Sequence, residues 1–108
     1  MSGISTHVLD LTRGKPAARV PVRLYRYEFD AWVEVASRET NADGRCDEIL
    51  PPNDVSVGEY RLVFKTVGYQ DPSLYPEVIL SFSVSPGESN YHLPLLLSPH
   101  GYTTYRGS

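Results

Sequence analysis

Six residues of this chain carry side chains suited to chemistry outside a packed core: His7, Arg45, His92, Tyr105, Arg106 and Ser108. An imidazole, with an unperturbed pKa of about 6.5, exchanges a proton near neutrality and serves as base and then as acid. A guanidinium fork grips a planar, oxygen-rich ligand through two parallel hydrogen bonds. Tyr105, Arg106 and Ser108 stand together at the end of the chain, where a phenol, a guanidinium, a hydroxyl and the terminal carboxylate fall close to one another. Each has an ordinary alternative. A lone outward histidine is most often a solvated side chain, a surface arginine is usually only that, and a chain end normally frays unless it docks. The chemistry therefore depends on whether these groups are held still.

Alternating segments supply the means to hold them. Ile4, Thr6 and Val8 fall on one face of a predicted strand running from Ile4 to Asp10, and Ser5, His7 and Leu9 on the other, which sets His7 mid-strand. Thr40-Asn41-Ala42-Asp43-Gly44 is strong turn chemistry, so Arg45 opens a short strand directly after a tight turn. Tyr91, Leu93, Leu95 and Leu97 share a face, which turns His92 to the opposite one. Pro99 and Gly101 then mark a turn, and Tyr102 to Tyr105 alternates as a last strand reaching almost to Ser108. Further strands are predicted at Val20–Leu24, Trp32–Ala36, from Gly58 through Phe64, and at Val78–Val84. Pro94 is out of place in its Leu-rich arm, because proline cannot donate to a ladder and belongs at an edge or bulge. Between Thr66 and Pro76 the pattern lapses, leaving room for one short helix. About eight short strands with turn signals every 8 to 12 residues predict an all-β, two-sheet antiparallel sandwich.

Composition narrows the functions. The 108 residues form one domain, 1–108, with a core and no linker. Ten basic against thirteen acidic residues leave a net charge of -3 without a basic run, which argues against nucleic acid. No apolar stretch approaches the roughly 20 residues that span a bilayer, and the first residues lack a signal peptide's charged start and apolar centre, so a cytoplasmic protein away from membranes is expected. A single Cys46 excludes an intrachain disulfide and reads as an ordinary packed side chain. The three histidines lack the close spacing of a metal site, and no phosphate-cradling loop or nucleophile elbow is present, so neither metal nor cofactor is expected.

Over almost its whole length the chain resembles the transthyretin-related 5-hydroxyisourate hydrolases. The matching blocks are Ser5 to Asp10, Gly14 to Ala17, Thr40 to Cys46, Gly58 to Tyr60 and, most telling, Tyr91 to Ser108. Prealbumin-like binding modules share the earlier blocks; the ending Tyr105-Arg106-Gly107-Ser108 is where the hydrolases stop and the carrier continues in an apolar strand. His100 departs from the tyrosine more usual in its turn, and Asn90-Tyr91 precedes His92 where many relatives have another histidine. The resemblance implies a prealbumin-like sandwich that hydrolyses a cyclic amide of 5-hydroxyisourate in urate degradation. His7, Arg45, His92 and Ser108 would be catalytic, and His7, Arg45, Tyr105 and Arg106 would bind substrate. An outward face of one domain is flat while ligand sites are concave, so a partner must build the walls, and the resemblance implies a homotetramer of transthyretin type with sites at the dimer–dimer interface. The alternative is a non-catalytic transthyretin-like carrier that binds an aromatic small molecule.

Overall fold

The fold is described here from a computed structural model over residues 3–69 and 74–107. Its strands are β1 (Ile4–Asp10), β2 (Lys15–Pro16), β3 (Pro21–Glu28), β4 (Ala31–Glu39), β5 (Arg45–Leu50), β6 (Gly58–Lys65), β7 (Glu77–Val84), β8 (Tyr91–Ser98) and β9 (Gly101–Thr104). One sheet runs β2-β1-β8-β9, with β5 also paired to β1, and the other runs β4-β3-β6-β7. The all-β sandwich expected from the alternation is present, with one departure from a purely antiparallel arrangement. β1 and β8 pair in parallel, in continuous register from Ile4↔Tyr91 to Asp10↔Leu97.

Strand periodicity builds the core. Ile4, Val8, Leu95 and Leu97 of the first sheet are buried against Val22, Leu24, Tyr60, Leu62, Phe64 and Val78 of the second. Thr6, fully buried among them, donates its hydroxyl to the carbonyl of Leu93 at 2.6 Å, which ties β1 to β8 as well as paying its desolvation. The register that buries these residues turns Ser5, His7, His92 and Pro94 to the outer face of the first sheet.

Pro94 explains itself through the terminal strand. β8 and β9 pair from Leu95↔Thr104 to Ser98↔Gly101, and an isolated bridge joins His92 to Gly107 in the same register. The ladder thus lapses at the proline, which has no N–H to give, and resumes beyond it. Thr104 fills part of the gap by donating its hydroxyl to the Pro94 carbonyl at 2.7 Å.

The one helical turn among the described residues is a 3-10 turn at Pro52–Asp54. Of the 66–76 segment, where a short helix is expected, residues 67–69 form a turn closed by Tyr69 N–H on the Thr66 carbonyl, and residues 70–73 lie outside the described part. No helix of the described residues is long and apolar enough to cross a membrane.

Candidate active site

The turn before β5 is built residue by residue to deliver Arg45. Asn41 accepts the backbone N–H groups of both Asp43 and Arg45 on its Oδ1, each at 2.9 Å. Thr40, buried beneath, donates its hydroxyl to the Ala17 carbonyl and accepts the Val20 N–H on the same oxygen, both at 2.8 Å. Gly44 has φ +74°, and its carbonyl accepts the Val8 N–H at 2.7 Å. A Cβ there would lie 2.4 Å from the Val8 carbonyl oxygen, so only glycine allows this close approach of turn to strand. The consequence is a fixed register in which Arg45 pairs with His7.

Two neighbouring rows result on the outer face. One runs from Arg45 on β5 through His7 on β1 to Pro94 on β8. The terminal ladder stops one residue short of that row, at Leu95↔Thr104, before Tyr105. The other runs from Ser5 on β1 to His92 on β8 and on to Gly107. Ser5 and His92 are hydrogen-bonded through Oγ and Nδ1 at 2.8 Å. His7 and His92 are half-buried and Arg45 is exposed.

The electrostatics favour a neutral His92. Burial lowers its basicity first, and the fixed positive charge of Arg45 and the electrostatic interaction with His7 lower it further, against the opposing carboxylate of Asp47. An imidazole neutral at pH 7 has a free lone pair with which to take a proton, and the neighbouring guanidinium supplies fixed positive charge.

The structure thus brings three of the six expected residues together, His7, Arg45 and His92. Arg106 turns the other way. Its guanidinium lies 4.3 Å from the Tyr91 ring centroid, pairs with Glu88 at 2.9 Å and donates to the Asn90 carbonyl at 3.0 Å. Tyr105 is half-exposed and borders a cleft with Tyr102, Phe82 and Leu93 at the β7 and β9 edges. Ser108 lies outside the described residues. His100 is exposed in the β8–β9 turn, away from both rows. Cys46 faces the core, and burial pushes its thiol up to about 11, leaving it a poor nucleophile. No group of three or more His, Cys, Asp or Glu side chains among the described residues is arranged to hold a metal ion.

Sequence reasoning passes over two residues of the second row. Ser5 shares the outward parity of His7, but its meeting with His92 requires the parallel pairing of strands 87 positions apart, which no local pattern signals. Gly107 stands in the terminal block without a side chain to draw attention, yet it packs against the His92 ring.

Comparison with known proteins supplies the family. The sequence profile of the HIUase/Transthyretin family matches residues 4–107. The 5-hydroxyisourate hydrolase of Mus musculus is 42% identical over 113 residues, covering 99% of this chain and 96% of that protein. The structure of Klebsiella pneumoniae 5-hydroxyisourate hydrolase superposes with a TM-score of 0.83 at 35% identity, with 100% of both chains covered. Sea bream transthyretin, solved in complex with thyroxine, superposes with a TM-score of 0.90 at 28% identity, covering 97% of this chain and 94% of that one. Backbone shape thus fits carrier and hydrolase alike, while residue identity is higher with the hydrolases. With its two outward rows and a profile match that spans both sheets, the chain belongs to the HIUase/Transthyretin family.

Proposed function

We propose that this protein is an enzyme that hydrolyses 5-hydroxyisourate, adding water across its cyclic amide to give 2-oxo-4-hydroxy-4-carboxy-5-ureidoimidazoline in urate degradation. The observation that carries the reading is the juxtaposition of Arg45 with His7 in one row and of His92 in the next, with His92 held neutral. His7 and His92 orient a water and take its proton as its oxygen bonds to the amide carbonyl carbon. The carbonyl oxygen becomes an oxyanion, and Arg45 neutralises it. The carbon–nitrogen bond then breaks, the proton passes to the departing nitrogen, and the ring opens to a carboxylate and a ureido group. Positioned acid–base groups of this kind contribute roughly 10²–10⁴-fold to a rate. Ser108 helps to place the water, Tyr105 closes the pocket, and Arg106 serves substrate binding by anchoring the terminal segment on Glu88 and Tyr91.

The two rows lie on an open sheet face, so the walls of the site come from a second copy. A homotetramer in which these faces meet across a dimer–dimer interface encloses the substrate symmetrically. Sedimentation of a fully active monomer would overturn that part of the reading.

The likeness to sea bream transthyretin favours one rival, a carrier that binds an aromatic molecule without turnover. Ultraviolet decay of 5-hydroxyisourate, generated from urate by urate oxidase, separates the two. The hydrolase accelerates the decay and loses that ability when residues 106–108 are removed with folding intact. A carrier leaves the spontaneous rate unchanged in both forms and binds aromatic ligands saturably.

A further inference from the structure

We infer that Ser5 is a positioning residue for this reaction: its Oγ accepts the Nδ1–H of His92, which fixes the ring and leaves Nε2 as the nitrogen that takes the proton from water. The inference rests on the hydrolase reading above and assigns within it a role to a side chain that the family resemblance includes but leaves without one.

The geometry is specific. Ser5 is 9% exposed, mid-sheet between β5 and β8, and its Oγ lies 2.8 Å from His92 Nδ1. On the other side of the ring the Gly107 α-carbon is so near that a Cβ would come within 2.8 Å of Cδ2. Nδ1 is therefore held by a hydrogen bond, and the space beside Cδ2 is left to the ring because Gly107 carries no side chain. Nε2, which has no hydrogen-bond partner among the described residues, is the nitrogen left to face substrate.

The chemistry of the partner also matters. A hydroxyl accepts from Nδ1–H in the neutral imidazole and equally in the imidazolium, so Nε2 can gain and lose a proton without any rearrangement around Nδ1. A carboxylate in the same place would stabilise the imidazolium and make the base too willing to stay protonated. Serine fixes the tautomer without adding charge. The charged and titratable groups that act on His92 among the described residues are then His7 from β1 and Arg45 and Asp47 from β5, and the adjoining Gly107 adds none.

The test combines turnover of 5-hydroxyisourate with nitrogen-15 NMR of the histidine rings in the full-length protein and three variants. Wild type should show His92 protonated at Nδ1. Ser5→Ala, with its fold verified by circular dichroism, should lower kcat by about 10-fold or more with KM within about twofold, because misorientation at a reacting centre costs rate and not ground-state binding. The same variant should lose the single-tautomer signal. Ser5→Thr, which keeps the hydroxyl, should restore most of kcat, and Ser5→Asp should move the acidic limb of the pH profile upward by about one unit. The inference is overturned if wild type is active while Ser5→Ala keeps its kcat and its His92 tautomer, or if Ser5→Thr is as impaired as Ser5→Ala. Absence of turnover in wild type removes the hydrolase reading, and this one with it.

Discussion

Gly107 donates its backbone N–H to the carbonyl of His92 at 2.7 Å, and its α-carbon abuts the edge of the same residue's ring. One glycine thus ties the terminal segment to β8 and limits where the imidazole can go. Gly107→Ala must either push the ring or lift the segment, since the new Cβ would meet Cδ2 at 2.8 Å. A displacement near 1 Å at a reacting centre costs about 10²-fold in rate. We expect kcat to fall by that order while the melting temperature moves by only a few degrees, because no buried core atom is touched. Steady-state kinetics beside a thermal melt checks it, and an unchanged kcat would show that the ring tolerates the displacement.

Arg45 poses a question of geometry against charge. It is exposed, forms no salt bridge with a described residue, and owes its position to the Asn41 cap and Gly44. Arg45→Lys keeps the positive charge but replaces a planar fork with a point charge. Stability should be within about 0.5 kcal/mol of wild type, as for other surface changes. kcat/KM should fall by about 10-fold or more, the scale of about 1.4 kcal/mol or above in transition-state stabilisation. Wild-type turnover in this variant would mean that charge alone suffices.

pH separates the titrating groups. His92 has its basicity lowered by burial and by Arg45 and His7, so in the folded state it binds its proton only below the ordinary value of about 6.5. Activity that needs its free lone pair should therefore persist through neutrality and fail on the acid side. In the same window the unfolded chain binds more protons than the folded one, so stability declines as pH falls from about 6.5 through the lowered value and is unaffected by this group above it. Asp10 acts in a lower window. Burial alone would raise its pKa, but donation from Tyr69 and from the Arg13 and Thr12 N–H groups outweighs that and holds the carboxyl below 3.8. Its contribution is present above that pH and is lost as pH falls through the lowered value. Denaturant unfolding from pH 8 to 5 should show a slope that His92→Gln reduces, and an unaltered slope would remove His92 as its source.

Most of the fold is legible in the sequence because a half-buried strand has to alternate. Ile4, Thr6 and Val8 against Ser5 and His7, or Tyr60, Leu62 and Phe64 against Arg61 and Lys65, permit no other register that buries a core. The turn at Thr40 to Gly44 is legible for the same local reason, since Asn41 caps it and Gly44 alone fits it. Pairing partners are not local. Nothing near Ser5 announces that it will lie beside His92, and nothing near Arg106 says that Glu88 and Tyr91 will take its guanidinium. The lapse between Thr66 and Pro76 gives no periodic signal at all, and its described part is held by non-repetitive bonds, Tyr69 N–H on the Thr66 carbonyl and the N–H groups of Thr66 and Val67 both on the Pro76 carbonyl.

The Thr40 hydroxyl offers the sharpest test of what holds Arg45 in place. It is 3% exposed and satisfies two backbone groups at once, the Ala17 carbonyl and the Val20 N–H. Thr40→Val preserves shape and removes both hydrogen bonds, leaving a buried donor and a buried acceptor unpaired. Each orphan costs about 1–3 kcal/mol, so the pair should cost about 2–6 kcal/mol. For a domain of this size that corresponds to a melting temperature lower by roughly 10 °C or more. Thr40→Ser, which keeps the oxygen, should lose far less. Because Asn41 still caps Arg45 on the exposed side, turnover well below the melting temperature should fall much less than stability does. A Val variant that melts with wild type would show that the loop carrying Ala17 and Val20 finds other partners, and that the turn stands without Thr40.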